Sequence, residues 1–183
     1  MSKTIIFLSL LAISFLSFSQ NTKKLKVGDK MPRFFLEDQN GNFFDSEDYL
    51  NKQPLVIFFY PKAGAPVCTA QACSFRDNIE QFKELHAKIV GISPDSTESQ
   101  ENFTTQNHLP YTVLSDKNNQ IRKLFGVPSL FLSKRPKRYT FVVDKKGIIQ
   151  KIYYNKNDVD SHIDQALATL NKENSQDEFT VKK

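Results

Sequence analysis

The sequence predicts an α/β sandwich, a central mixed sheet with helices on both faces. Three observations carry this. Leu55–Tyr60 and Lys88–Ser93 are short, continuous apolar runs, the pattern of strands covered on both sides. Stretches of helical periodicity separate the strands. Near the C-terminus two strand-like runs flank Lys145-Lys146-Gly147, and one more amphipathic stretch follows.

Taken in order, Met31–Leu36 reads as a short strand, Asn40-Gly41 as a turn and Asn42–Phe44 as its partner strand. Ser46–Leu50 suits one helical turn. Pro54 introduces the buried strand Leu55–Tyr60, and Pro61 ends it. Pro66 suits the first turn of a helix, because a first-turn amide has no partner to lose. That helix is expected to continue through Phe75, Ile79, Phe82 and Leu85, apolar at steps of four, three and three. Lys88–Ser93 is the second buried strand. Asp95 with Glu98 resembles a helix-starting pair leading into Gln100–His108. Pro110–Leu114 reads as a strand, and Gln120–Phe125 as a short helix stopped by Gly126 and Pro128. Tyr139–Val143 and Ile148–Tyr153 form the hairpin. Val159, Ile163, Leu167 and Leu170 mark the last helix. No internal repeat and no second domain is visible.

The ends read differently from the middle. Lys3 precedes the apolar run Ile5–Phe18, and Ser17-Phe18-Ser19 offers a signal-peptidase site, so residues 1–19 read as a signal peptide. The run is short and broken by serines, which argues against a membrane span. The expectation is an exported protein, periplasmic or secreted, with no membrane partner once processed. Residues 20–25 read as a mobile arm, 26–170 as one domain, and the polar stretch 171–183 as a disordered tail. The net charge is +5, mildly basic. Lys134, Arg135, Lys137 and Arg138 cluster in one run, read here as a solvated loop. No aromatic residues are interleaved with that run, so nucleic-acid binding is not expected. His86, His108 and His162 lack ligand spacing and read as surface or half-buried residues. Neither a metal site nor a cofactor is expected.

Cys68 and Cys73 are the two cysteines of the chain. Cys68 follows Pro66 by two residues and falls in the first turn of the predicted helix. Unpaired amides and the helix dipole there favour negative charge on sulfur, so Cys68 is expected to be the nucleophile. Five residues along an α-helix is about 7.5 Å of rise and about 140° of rotation. The two side chains therefore leave the helix in different directions. A disulfide needs converging Cβ vectors, so either the helix does not form as predicted or it must unwind before the sulfurs meet. A transient disulfide fits this better than a permanent staple. The chemistry such a pair suggests first is attack on an electrophile, with a peroxide as the expected oxidant, oxidation of Cys68 to a sulfenic acid and condensation with Cys73. An outside dithiol then reduces the Cys68–Cys73 disulfide.

The segment FYPKAGAPVCTAQACSFRDN resembles the active-site segment of the peroxiredoxins, and most of all the bacterioferritin comigratory protein (PrxQ) subfamily. KIVGISPDSTES, LPYTVLSDKNNQIRKLFGVP and KRYTFVVDKKGIIQKIYY follow in that family's order, so the likeness spans roughly Lys26 to Leu170. The resemblance implies a thioredoxin-like fold and a thiol-dependent peroxidase acting on hydrogen peroxide and organic hydroperoxides. It implies a thioredoxin-like reductant and a monomer or weak homodimer. It makes Cys68 the peroxidatic and Cys73 the resolving cysteine. Arg138 stabilises the thiolate, Pro61 belongs to the active-site loop, and the backbone amides of Val67 and Cys68 face the peroxide. One position departs: where the family carries Thr or Ser, this chain has Ala65. Val67 stands where many relatives have glycine.

Two rival readings share the fold. An exported thiol–disulfide oxidoreductase normally separates its cysteines by two residues, whereas four separate Cys68 from Cys73. A non-catalytic binding or holdase module is kept open by Ala65. A cysteine protease is disfavoured: His86 lies about 27 Å along the helix from Cys68.

Overall fold

The structure, a computed structural model, describes residues 24–181. The expected signal peptide, 1–19, lies outside them. Five strands make the central sheet: β3 (Leu55–Phe59), β4 (Lys88–Ser93), β5 (Thr112–Ser115), β6 (Tyr139–Val143) and β7 (Ile149–Tyr154), in the order β5-β4-β3-β6-β7. β4 runs parallel to both β3 and β5. β6 runs antiparallel to both β3 and β7. The sheet is therefore mixed, with the two long apolar runs at its centre. A separate antiparallel pair, β1 (Phe35–Glu37) and β2 (Phe43–Asp45), precedes it. The helices are α1 (Pro66–Asp77), α2 (Ile79–Glu84), α3 (Thr97–Gln106), α4 (Gln120–Leu124) and α5 (Asp160–Val181), with a 3-10 turn at Ser46–Tyr49.

The two-residue alternation of β3 divides the interior. Val56, Phe58 and Tyr60 point to one face, where Phe75, Phe82, Phe103, Ile163 and Leu170 arrive from α1, α2, α3 and α5. Leu55, Ile57 and Phe59 point to the other, against Phe34, Phe44, Phe125 and Phe141. Aromatic rings tie both layers: Phe58 stacks on Phe75 at 4.5 Å and Phe125 meets Phe141 edge-on at 5.1 Å. These packed clusters are built from residues between Leu25 and Leu170, so a chain that begins at residue 20 keeps the whole described interior.

Several elements differ from the sequence reading. The long helix expected over Pro66–Leu85 is broken at Asn78, whose side chain donates to the Ser74 carbonyl and accepts from Gln81. An Asn that bonds its own helix backbone competes with the helical ladder. Phe75 and Phe82 still reach the same core across the break. α3 is capped by Ser96, which accepts from the Ser99 amide, and not by Asp95, whose carboxylate turns elsewhere. Leu25, placed by the sequence in a mobile arm, packs against the second core. α5 runs to Val181, well past Leu170, where a disordered tail was expected. Asn171 bonds the Leu167 carbonyl and Ser175 that of Asn171. Helical hydrogen bonding thus outlasts the apolar face that predicted it. His162, expected at the surface or half-buried, is fully buried. It lies on the core-facing stripe of α5 one residue from Ile163.

Gly91 marks the tightest point of the sheet. A Cβ there meets Phe58 Cζ at 2.8 Å and Val113 Cγ1 at 3.2 Å. Because Phe58 is locked by Phe75 and Tyr60, Gly91→Ala is expected to cost about 1–3 kcal/mol in denaturant unfolding. An unchanged midpoint contradicts the close packing.

Candidate active site

The candidate site forms where β3 hands over to α1. The last sheet bond of this strand is Tyr60 N–H to the Ile92 carbonyl, and Pro61 then turns the chain out. α1 begins with Pro66 at its first position and Ala65 as its cap, in extended conformation with no side-chain capping bond. Thr69 is the first residue whose amide closes a helical bond, to the Ala65 carbonyl at 2.8 Å. Among the described residues the Val67 and Cys68 amides have no hydrogen-bond acceptor. Cys68 itself is buried in the first core, while Val67 beside it is 45% exposed.

Arg138 closes the site from the residue just before β6. It is 5% exposed, and its Nη2 donates to Cys68 Sγ at 3.6 Å. Nη1 donates to Gln71 Oε1 at 2.5 Å, and Nε to the Lys156 carbonyl at 3.4 Å. Gln71 lies one turn after Cys68 on the same helix face and is fully buried. The guanidinium is thus aimed by a side chain and a carbonyl, and no carboxylate among the described residues pairs with it.

A second layer holds the turn 61–65. Asp95 Oδ2 accepts from the Ala63 amide at 2.7 Å and from Ser93 Oγ at 2.8 Å. Arg135 donates to the Pro61 carbonyl at 2.9 Å and lies 3.7 Å from Asp95 Oδ1. Gln100 donates to Ser93 Oγ and the Leu114 carbonyl, and accepts from the Tyr60 hydroxyl. Burial pushes the Tyr60 hydroxyl well above the ordinary phenol range, so it stays a neutral donor. Behind Arg138, His162 Nε2 faces the Asn155 carbonyl at 3.0 Å and Nδ1 faces Thr140 Oγ1 at 2.8 Å. A carbonyl only accepts, so Nε2 carries the proton and Nδ1 accepts from Thr140. Burial, with Arg138 adding to it, lowers the His162 pKa and keeps the ring neutral.

Cys73 faces another way. It is half-buried, and its Sγ lies 3.9 Å from Asn107 Oδ1 at the end of α3. Both cysteines are free thiols. The helix that carries both is braced: Tyr111 donates to the Ala72 carbonyl, Arg76 to that of Asn107, and Ser74 to Asp160. The divergence expected from five-residue spacing is what the structure displays.

Against known proteins, the family model described as AhpC/TSA family matches residues 27–152. The chain belongs to the AhpC/TSA family. Chloroplastic peroxiredoxin Q of Sedum lineare is 44% identical over 147 residues, covering 80% of this chain and 78% of the relative. Peroxidoxin BcpB from Mycobacterium tuberculosis superposes with a TM-score of 0.76 at 38% identity, covering 81% of this chain and 97% of that one. The bacterioferritin comigratory protein of Xanthomonas campestris, whose structure concerns alkyl peroxide reduction, gives 0.69 at 26%, covering 76% and 91%. This AhpC/TSA member has the thioredoxin-like peroxiredoxin fold, and it is a thiol peroxidase that takes a peroxide as substrate and a thioredoxin-type reductant.

Of the residues singled out from sequence, the fold gathers Cys68, Val67, Pro61 and Arg138 in one place and sets Cys73 on another side of α1. Gln71, Asp95, Arg135 and His162 were not anticipated there. Gln71 alone had a signal, its three-residue spacing from Cys68. Asp95 looked like a helix start, and Arg135 like one charge in a solvated run. That run is a mixed one: Arg138 is buried and Arg135 half-buried.

His162 supplies a pH test. Its folded pKa lies below its ordinary value of 6.5, so in the interval between them the unfolded chain holds a proton that the folded chain lacks. Its contribution to stability is complete above that ordinary value and is lost as pH falls through the folded one. The denaturation midpoint should therefore drop between about pH 7 and about pH 5, and His162→Gln should drop less steeply. Parallel profiles contradict the assignment.

Proposed function

We propose that Cys68 is the sulfur that attacks peroxide and that Cys73 resolves the product. The observation that carries this reading is the Arg138 guanidinium on Cys68 Sγ, beside two amides without acceptors. The thiolate of Cys68 attacks one peroxide oxygen, the O–O bond breaks, and sulfur becomes a sulfenic acid. The leaving oxygen takes a proton and departs as water or alcohol. The Cys73 thiolate then attacks the Cys68 sulfur, forms the S–S bond and expels the hydroxyl as water. An external thioredoxin-type dithiol reduces the disulfide by two exchange steps and is itself oxidised. The amides of Val67 and Cys68 hold the peroxide oxygens, and Pro61 shapes the turn that presents them. Both sulfurs lie on one chain, so the cycle runs in a monomer or weak homodimer. The chain works after export, with residues 1–19 removed.

The second step requires the segment between the cysteines to leave its helical form. Broken hydrogen bonds include those from Tyr111 to Ala72 and from Ser74 to Asp160. The break at Asn78 limits the unwinding to α1 and spares α2.

Stopped-flow oxidation of the reduced protein, with mass spectrometry of the peptide holding both cysteines, tests the roles. Cys68→Ser should abolish peroxide consumption. Cys73→Ser should allow one oxidation event and then stall at the sulfenic acid. A Cys73→Ser protein that turns over normally with a dithiol reductant contradicts the resolving role.

Ala65 offers a second test. It fills the cap position of α1 with a side chain that bonds nothing. Ala65→Thr is expected to raise kcat/KM for hydrogen peroxide by about 10²-fold, through one more positioned donor. It should also stabilise the reduced protein by about 0.5–2 kcal/mol, through the restored cap. Greater stability with an unchanged rate assigns position 65 a structural role alone.

A further inference from the structure

The loop 128–137 is built to present two apolar side chains to the outside. The Ser129–Pro136 bridge closes it, with Leu130 N–H on the Arg135 carbonyl and Lys137 N–H on that of Pro128. At its tip Phe131 is 91% and Leu132 93% exposed. Leu132 holds φ at +59, a left-handed conformation that a bulky residue adopts only at a cost. The loop is not loosely attached. Arg135 bonds the Pro61 carbonyl and faces Asp95, so the tip is fixed to the turn that leads to Cys68.

Charge surrounds this tip with one sign. Residues 129–138 contain four apolar or proline positions, four basic residues and no acid. Lys134 is exposed beside the apolar pair, and Lys137 extends over the half-exposed Tyr154 ring at 5.7 Å. A convex apolar tip ringed by lysines has no wall of its own to hold a rigid partner. It suits a fluid phase with an anionic skin, where the apolar pair enters among acyl chains and the lysines remain with the headgroups. A two-fold contact with a second copy sets Lys134 and Lys137 against their own images, so self-association is disfavoured.

We propose that loop 128–137 docks this protein onto anionic lipid surfaces, with Phe131 and Leu132 inserted and Lys134 and Lys137 on the headgroups. This departs from the expectation that the processed chain has no membrane partner, and from the reading of the basic run as a solvated loop. Because the loop is bonded to the turn 61–65, docking brings the exposed Val67 and the mouth of the Cys68 site to the lipid interface. Docking itself does not depend on the roles assigned to the two cysteines.

Co-sedimentation of residues 20–183 with vesicles of equal phosphatidylglycerol and phosphatidylcholine, against vesicles of phosphatidylcholine alone, tests the proposal. The protein is expected to partition onto the anionic vesicles, less so as salt rises. The double variant Phe131→Ser, Leu132→Ser should weaken partitioning by about tenfold or more. Lys134→Glu should weaken it several-fold and flatten the salt dependence. Melting temperature and peroxide consumption in vesicle-free solution should be unchanged in both variants. Equal partitioning of the double variant and the parent overturns the proposal, as does no partitioning above the phosphatidylcholine control. A dimer in solution that the double variant dissolves, without vesicle binding, overturns it in favour of a contact between copies. Retention by an acidic protein without vesicle binding overturns it in favour of a protein partner.

Discussion

A buried guanidinium facing a sulfur is the interaction on which the site depends. Arg138 is almost wholly removed from water, and among the described residues no carboxylate pairs with it. A buried cation without a counter-charge is costly. Gln71 and the Lys156 carbonyl supply dipoles, and Cys68 Sγ is the third group that Arg138 meets among the described residues. In the proposed cycle negative charge on the Cys68 sulfur and the guanidinium stabilise each other, and the surrounding structure keeps the two groups in register. The arginine sits at the entry to β6, α1 carries the sulfur, and the pairing of β3 with β6 sets their separation. His162 and Thr140 brace the segment whose next carbonyl receives Arg138 Nε.

The same helix that poises one sulfur keeps the other away. Cys68 looks into the core while Cys73 looks toward Asn107. Helix stability in α1 thus holds the two sulfurs apart and opposes the disulfide that the proposed cycle requires. Short helices gain most of their stability from packing, and α1 is short, lacks a side-chain cap and ends at an asparagine break. Those features place it among the elements able to open locally while the sheet and both cores persist.

Much of this architecture was legible in the residues. The apolar runs of β3 and β4 are buried on both faces as their composition demanded, and the Lys145-Lys146-Gly147 turn joins two antiparallel strands. The cysteine spacing foretold the divergence of the two side chains. What stayed hidden depends on contacts far apart in sequence. Nothing local to Asp95 shows that its carboxylate receives the Ala63 amide across thirty-two positions. A run of four basic residues does not show that Arg138 turns inward while Lys134 stays outside. The polar end of α5 has no apolar stripe, so periodicity could not find a helix sustained by its own hydrogen bonds. His162 read as a surface or half-buried residue because its partners, Thr140 and the Asn155 carbonyl, meet it only in the fold.

Amide hydrogen exchange across residues 66–77, compared between the reduced protein and the protein treated with one equivalent of hydrogen peroxide, tests the central claim most directly. Slow exchange in the reduced form, lost on oxidation while β3, β4 and β6 remain protected, is the predicted result. A Cys68–Cys73 disulfide formed with α1 still protected, or oxidation that leaves both thiols free and exchange unchanged, contradicts it.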